Sequence, residues 1–223
     1  MELFLLLGSI MLVNLVLSGD NAVVIALACR SLPAKQQKKA IFWGTLGAVV
    51  LRVVLTVAAA YLLQIPYLMS IGGLALVYIA IKLLIPEHEH EEEHAKTVGS
   101  LYEAIKIILV ADVIMSLDNV LAIAGIADGH LGILIAGLAL SIPIVVFGST
   151  ILMNLMNKYP VIIYAGAGVL GWTAGKMIVH DTSLAEMLVP ASVILEIGLA
   201  VFVLAAGFWL KSRKKRSQGR LPA

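Results

Sequence analysis

Residues 14–21 of this chain read NLVLSGDN, and residues 112–119, 98 positions later, read DVIMSLDN. Both stretches lie inside long apolar segments, and the likeness continues where Ile25-Ala26 align with Ile123-Ala124. An ionised carboxylate at the centre of a bilayer costs at least about 2.5–3.5 kcal/mol, so it persists where it faces a bundle interior or a site. The repeated Ser-x-Asp-Asn motif therefore predicts two half-sites that meet inside a membrane protein and bind a cation.

The composition defines the class of protein. Hydrophobic residues make up 61% of the chain, charged residues 13%, and the mean hydropathy is +1.00, which excludes an ordinary soluble domain. A helix needs about 20 apolar residues to cross the hydrocarbon layer. We therefore predict an all-α polytopic membrane protein with seven transmembrane helices, at residues 3–29, 40–63, 67–85, 104–127, 131–156, 160–179 and 188–210.

The distribution of lysine and arginine predicts the orientation, because cytoplasmic loops retain these residues. One set of loops is basic and carries Arg30, Lys35, Lys38, Lys39, Lys96, Lys158 and the run 211–216. The opposite loops carry Asp128, Asp181 and Glu186 and almost no positive charge. We expect a plasma-membrane protein with its N-terminus outside and its C-terminus in the cytoplasm, and its basic tail favours anionic lipid over nucleic acid.

A second repeat relates the third and sixth predicted spans. Residues 72–82 (GGLALVYIAIK) align with residues 166–176 (GAGVLGWTAGK). Because each unit contains three spans, the second copy must be inverted relative to the first, as in many secondary transporters. The predicted organisation is a first three-helix repeat (1–85), a His/Glu-rich cytoplasmic linker (86–100), an inverted second repeat (101–180), a seventh helix (181–210) and a basic cytoplasmic tail (211–223).

The spacing of the polar residues indicates which of them share a helix face. Two triplets stand at i, i+4 and i+7 on straight helices: Asn14, Ser18 and Asn21 in the first copy, and Asp112, Ser116 and Asn119 in the second. Asp20 and Asp118 then point about 120° away from those faces. Either each aspartate faces a neighbouring interface, or the helix unwinds locally near Gly19 so that the groups converge.

The ligand types indicate which ions the site would take. Carboxylate and Asn oxygens suit Mg²⁺, Ca²⁺ or Mn²⁺, and no intramembrane Cys or His favours zinc or copper. Asp20, Asp112 and Asp118 could neutralise a divalent cation, and protons could replace it on the return step. An anionic substrate would be repelled, and the sequence indicates no cofactor.

Three further polar positions leave alternatives open. Arg52 is either a counter-ion to the aspartates or a structural residue bonded to helix carbonyls. Glu196 is either a proton-coupling or ligand residue, or one partner of an interhelical hydrogen bond. The linker residues His88, His90 and His94 stand among glutamates and either capture metal before it enters the membrane site or belong to a solvated acidic linker.

The motifs at residues 17–22 (LSGDNA) and 116–120 (SLDNV) resemble those of the TerC family of integral membrane proteins, within the LysE-type exporter superfamily. The resemblance extends to about residue 210. It implies a membrane protein of the short type associated with manganese efflux and with supplying manganese to exported proteins. By resemblance, the metal-site residues are Asp20, Asn21, Asp118 and Asn119, with Asp112 and Asn14 alongside them.

Three function classes follow from this reading. The first is a divalent cation transporter, not an enzyme, that exports Mn²⁺ by alternating access. The second is a membrane metal-delivery subunit that metallates exported proteins with a partner. The third and weakest is an intramembrane aspartyl enzyme with Asp20 and Asp118 as its dyad. The expected partners are a divalent ion, the lipid bilayer, a second copy of the chain and a secreted or membrane metalloprotein client.

Overall fold

The computed structural model describes residues 19–62, 65–85, 100–127 and 131–218, without the side chains of residues 59–60, 118–127, 131, 133–134 and 214–218. Within these ranges the regular structure is entirely helical. Seven helices of more than ten residues follow one another: α1 Gly19–Cys29, α2 Ala34–Leu62, α3 Leu68–Leu84, α4 Leu101–Ala127, α5 Leu131–Lys158, α6 Val161–Val179 and α7 Ser192–Gln218. A helical turn at Ala185–Leu188 and a 3₁₀ turn at Val189–Ala191 precede α7.

Four segments of the described chain are long and apolar enough to cross a membrane: Ala34–Ala58, Ile135–Lys158, Val161–Val179 and Ala185–Arg213. The apolar helices α1 and α3 are shorter, with 11 and 17 described residues. Helix α4 has 27 residues and carries four charged positions, among them Asp112. The all-helical prediction is therefore confirmed, four of the helices are candidate membrane spans, and the seven crossings stay a prediction.

The last helix extends beyond its predicted end. The expected tail begins at residue 211, but α7 continues to Gln218. Lysine and arginine are good helix formers, and no glycine or proline occurs between Phe208 and Gln218 to end the helix. The first part of the basic segment is therefore helical.

Large apolar side chains cover the outside of the bundle. Many are more than half exposed, including Val54, Val57, Ile71, Phe147, Ile194 and Phe208. In water such a surface would drive association, but in lipid it is the favoured surface because acyl chains are equally apolar. The exposed apolar surface therefore agrees with a membrane environment.

Small residues allow close contact between helices. A Cβ added to Gly44 of α2 would lie 2.8 Å from Ile108 Cδ1 of α4, and one added to Gly73 of α3 would lie 2.8 Å from the Ala174 carbonyl oxygen of α6. Membrane helices associate through such small-residue contacts because lipid offers no hydrophobic driving force between them. The packed pairs include α1 with α4, α2 with α5, and α3 with α6.

Polar contacts join helices at both ends of the bundle. At one end, the Arg30 guanidinium donates to the Leu83 carbonyl (2.9 Å), and Lys82 pairs with Glu103 (2.6 Å). At the other end, the buried Asp181 carboxylate accepts hydrogen bonds from the backbone N–H groups of Ser70 and Ser183, each at 2.9 Å.

The Asp181 contact is a helix cap. Its carboxylate satisfies an N–H in the first turn of α3, which the helix itself leaves without a partner. Burial acts to raise the pKa of Asp181, but the hydrogen bonds from Ser70 and Ser183 outweigh it and leave that pKa below its usual value. The negative charge therefore holds the start of α3 against the loop that follows α6.

Candidate functional site

A small buried cavity lies where α1, α2, α4 and α5 meet. Its volume is about 20 Å³, enough for one water-sized ligand. Its walls combine polar and apolar side chains: Asn21, Ile25, Thr45, Ala48, Val49, Arg52, Asp112, Ser141 and Val145. The first polar motif contributes Asn21 and the second contributes Asp112, so the structure brings both motifs to one place.

A charged pair forms one wall of this cavity. The Arg52 guanidinium of α2 makes a salt bridge to Asp112 of α4, and the two residues are only 4% and 5% exposed. Arg52 Nε also donates to Ser116 Oγ (3.1 Å), which in turn donates to Asp112 Oδ2 (3.3 Å). Asp112 and Ser116 stand one helical turn apart, on the face that the sequence spacing predicts. The carboxylate is therefore neutralised by a guanidinium inside the bundle.

The same cavity is also lined by residues whose polar atoms have no described partner. Among the described residues, neither the amide nitrogen nor the amide oxygen of Asn21 has a hydrogen-bond partner, and Thr45 Oγ1 has none. Asn21 is 5% exposed and Thr45 2%. Burying such groups without a partner costs about 1–3 kcal/mol each. Water would satisfy all three atoms, and a cation would bind the two oxygens, Asn21 Oδ1 and Thr45 Oγ1, but not the donor Asn21 Nδ2.

Asp20 faces a different interface from its neighbour Asn21. Its Oδ1 accepts the Asn21 backbone N–H (2.9 Å), and its Oδ2 accepts the Thr173 hydroxyl of α6 (3.4 Å). Successive side chains on a helix diverge by about 100°, so Asn21 lines the cavity while Asp20 points toward α6. Of the two alternatives from the sequence, α1 shows the aspartate at a neighbouring interface.

Several predicted site residues cannot be placed. Asn14, Ser18, His88, His90 and His94 lie outside the described residues, as do the side chains of Asp118 and Asn119. Within the described part, no group of three His, Cys, Asp or Glu side chains gathers as a metal cluster. Among the described residues that line the cavity, one carboxylate could bind a metal ion, and the other side-chain oxygens belong to neutral residues.

The sequence reasoning missed two cavity residues, Thr45 and Ser141. Thr45 and Arg52 stand at i and i+7 in α2, so their shared helix face could have been found from spacing alone. Ser141 of α5 is 2% exposed and donates its hydroxyl to the Leu138 carbonyl (2.6 Å). Its own helix satisfies it as a donor, and its oxygen can still accept a hydrogen bond or bind a cation.

Two pairs of cavity residues are related by one constant separation. Thr45 and Ser141 are 96 positions apart, and so are Val49 and Val145. This separation lies between the two offsets, 98 and 94, that relate the other repeated segments. Helices α2 and α5 therefore contribute corresponding positions to the same cavity.

Glu196 lies away from the cavity, between α6 and α7. Trp172 Nε1 donates to Glu196 Oε2 (2.6 Å), and Lys176 lies over the Trp172 ring at 5.1 Å from its centroid. Of the two alternatives for Glu196, this contact corresponds to the interhelical hydrogen bond. A coupling role for this residue stays a prediction.

Comparisons with known proteins agree on the class of the chain. The family model described as "Integral membrane protein TerC family" matches residues 1–215. The uncharacterized membrane protein YjbE of Bacillus subtilis is 42% identical over 206 residues, which is 91% of this chain and 94% of that protein. The inner membrane protein YgdQ of Escherichia coli K12 is 30% identical over 173 residues, covering 70% and 73% of the two chains. No solved structure matches.

Proposed function

This chain belongs to the TerC family of integral membrane proteins, and from that premise we propose that it transports a divalent metal cation, Mn²⁺, out of the cell. The transported ion binds in the cavity between α1, α2, α4 and α5. Asn21, Thr45 and Asp112 supply its ligands, and Ser141 adds a further oxygen. Asp118 and Asn119, which follow Asp112 in the second motif, join the site when the ion is bound.

The observation that carries this proposal is the set of buried oxygen atoms without partners. Asn21 Oδ1 and Thr45 Oγ1 line a cavity together with the Asp112 carboxylate, which already holds a cationic group. A site that binds a guanidinium and still has unpaired oxygens is suited to a compact cation. An anion is disfavoured by the Asp112 carboxylate in the cavity lining.

The donor chemistry supports a hard metal ion. Carboxylate, amide carbonyl and hydroxyl oxygens suit Mg²⁺, Ca²⁺ and Mn²⁺, and no cysteine or histidine is among the residues that line the cavity. The choice of Mn²⁺ among these three ions rests on the likeness of the two motifs to the short manganese-exporter type of the family.

Two features of the packing support an inverted repeat with alternating access. Helices α1, α2 and α3 pack against α4, α5 and α6 respectively, each on its counterpart in the other half. Corresponding positions of α2 and α5 also line the cavity. In inverted-repeat transporters the substrate binds between the repeats, and one half moves against the other. A cavity at that interface is where alternating access requires the ion to bind.

The charges at the ends of the bundle support the proposed orientation. The end with Arg30, Lys82 and Lys211 also holds Glu103, whereas Asp181 and Ser183 lie at the other end. Lysine and arginine are retained on the cytoplasmic side. This arrangement supports a plasma-membrane protein with its N-terminus outside and its C-terminus inside.

Flux of Mn²⁺ through the purified protein in liposomes tests the function. We expect the wild type to carry Mn²⁺, and Thr45→Val and Asp112→Asn to reduce the flux at least about tenfold, the effect of losing roughly 1.4 kcal/mol of ion stabilisation. Ser149→Ala is the matched control, because Ser149 is a buried α5 residue whose hydroxyl donates to the Val145 carbonyl. Absence of wild-type flux, or equal loss in the control, would refute the proposal.

Metal delivery to an exported metalloprotein would use the same cavity, so flux by the isolated protein distinguishes an independent transporter from a subunit that needs a partner. A transporter needs no catalytic group and no cofactor, and we propose none. An aspartyl enzyme would need the Asp20 and Asp118 carboxyl groups side by side. Asp20 accepts a hydrogen bond from Thr173 of α6, and the Asp118 side chain lies outside the described part of the chain.

A further inference from the structure

We propose that the Arg52 guanidinium takes the place of the transported cation in the metal-free carrier, so that the carrier returns to its loading side without an exchanging ion. This inference rests on the proposed transport function. It goes beyond that function because it assigns the counter-ion of the return step to a side chain of the protein itself.

The charge of Asp112 is already compensated by another side chain. Its carboxylate makes a salt bridge to Arg52, and Ser116 bridges the two groups by accepting from Arg52 Nε and donating to Asp112 Oδ2. Both charged residues are almost fully buried. A buried carboxylate is tolerated when it is paired and hydrogen-bonded. The charge of Asp112 is thus compensated by a side chain of the protein itself.

A metal ion and the Arg52 guanidinium cannot occupy the cavity together. Arg52 and the unpaired atoms of Asn21 and Thr45 line the same cavity of about 20 Å³. A divalent ion bound there would be in contact with the guanidinium. Two cations in contact repel each other strongly in a buried site. Metal binding therefore requires Arg52 to withdraw from Asp112, and metal release allows it to return.

Among the described residues, no other cationic side chain competes with Arg52 for Asp112. Asp112 is faced by Arg52 from α2, by the neutral Asn21 from α1 and by the neutral Ser141 from α5. The nearby acidic group with a described side chain, Asp20, is turned toward Thr173. The charged residue of α3, Lys82, pairs with Glu103 at the end of the bundle. Within the described part of the chain, Arg52 is the compensating charge.

The consequence concerns the transport cycle. A carrier whose two halves must move around an uncompensated carboxylate changes conformation slowly, because the charge is costly at membrane depth. Such a carrier needs a second ion to bind before it returns. With Arg52 on Asp112 the metal-free carrier is as well compensated as the loaded one, and net efflux runs as fast as exchange.

Liposomes that contain the purified protein test this by comparing two rates with radioactive Mn²⁺ as the probe. One rate is net efflux into metal-free buffer, and the other is exchange with equal Mn²⁺ on both sides. We expect an exchange-to-net ratio near one for the wild type. In Arg52→Gln the ratio should rise by roughly tenfold or more, because only the metal-loaded carrier can then return. Arg52→Lys keeps the charge and should hold the ratio near the wild-type value.

The outcomes separate this inference from the function on which it rests. Equal slowing of both rates in Arg52→Gln would overturn it, because Arg52 would then serve folding or metal affinity alone. A wild-type ratio well above one would also overturn it, and this result needs no variant to fold. Absence of any wild-type Mn²⁺ flux would instead defeat the transport function, and the inference would fall with it.

Discussion

At the scale of the residue, neighbouring polar side chains in α1 serve different interfaces. Asn21 lines the cavity with neither amide atom partnered among the described residues, while Asp20 accepts the Thr173 hydroxyl of α6. A buried amide without partners lowers the stability of the fold, so its presence points to a ligand that completes it. Arg52 and Asp112 differ from it because each satisfies the other. Removing one member of such a pair costs about 3–5 kcal/mol.

Asn21→Leu should separate stability from metal binding. The leucine side chain has a similar volume and no polar atom to satisfy, so we expect the melting temperature without metal to stay the same or rise. The increase in melting temperature on adding Mn²⁺ should be lost, because Asn21 Oδ1 no longer binds the ion. Thermal unfolding of the detergent-solubilised protein, with and without Mn²⁺, measures both effects.

Ser149→Ala is again the matched control, because its hydroxyl donates within α5 and the residue does not line the cavity. It should keep the full Mn²⁺ response. If Asn21→Leu kept that response as well, Asn21 would not be a ligand.

At the scale of the element, glycines determine how closely the helices approach. The closest described approach of a glycine to backbone atoms of another helix joins α6 and α7, where a Cβ on Gly175 would lie 2.6 Å from Glu196 Cα and one on Gly171 would lie 2.8 Å from Ala200 Cα. This contact also brings Trp172 within hydrogen-bond distance of Glu196. The glycines of residues 166–176 are thus packing residues, which explains why a repeat of small residues recurs there.

Gly175→Ala should destabilise the protein by about 1–3 kcal/mol, because the added methyl group meets backbone atoms that cannot rotate away. Gly168→Ala is the matched control on the same helix. Its Cβ would meet Leu204 Cδ1 at 3.6 Å, an ordinary contact. Thermal unfolding should show a lower melting temperature for Gly175→Ala alone. Equal melting temperatures for the two variants would contradict the close approach of α6 and α7.

Sequence reasoning located the helices better than the site. The apolar segments predict the described helices to within a few residues at most ends, because hydrocarbon permits little besides a helix. The end of α7 was missed because its basic residues also favour a helix. The face shared by Asp112 and Ser116 follows from their spacing. The spacing of Thr45 and Arg52 also places them on one face of α2. Ser141 and Thr173 could not be predicted, because only tertiary packing decides which isolated hydroxyl faces which neighbour.

At the scale of the whole molecule, the two ends of the bundle differ in their polar contacts. Arg30, Lys82, Glu103 and Lys211 take part in contacts at one end, and Asp181 caps α3 at the other. The cavity lies between these ends, among helices of both proposed repeats. A carrier with its ion site inside and its basic end in the cytoplasm is the arrangement that we propose. The association of two copies stays a prediction.

Single cysteines should report this orientation in intact cells. In a Cys29→Ser background, we expect Glu186→Cys to react with a membrane-impermeant maleimide added outside, because Glu186 is exposed at the Asp181 end. Lys158, the last residue of α5, is exposed too but lies at the opposite end of the bundle. Lys158→Cys should therefore react only after the membrane is permeabilised. Labelling of Lys158→Cys in intact cells would reverse the proposed topology.

The location of bound Mn²⁺ tests the central claim most directly. Anomalous diffraction from crystals grown with Mn²⁺ should show a peak in the cavity among α1, α2, α4 and α5. We expect oxygen distances of about 2.0–2.6 Å to Asp112, Asn21 and Thr45, the range seen for hard divalent ions, and an Arg52 guanidinium withdrawn from Asp112. A peak elsewhere in the molecule, with Arg52 still bonded to Asp112 and no density in this cavity, would contradict the account.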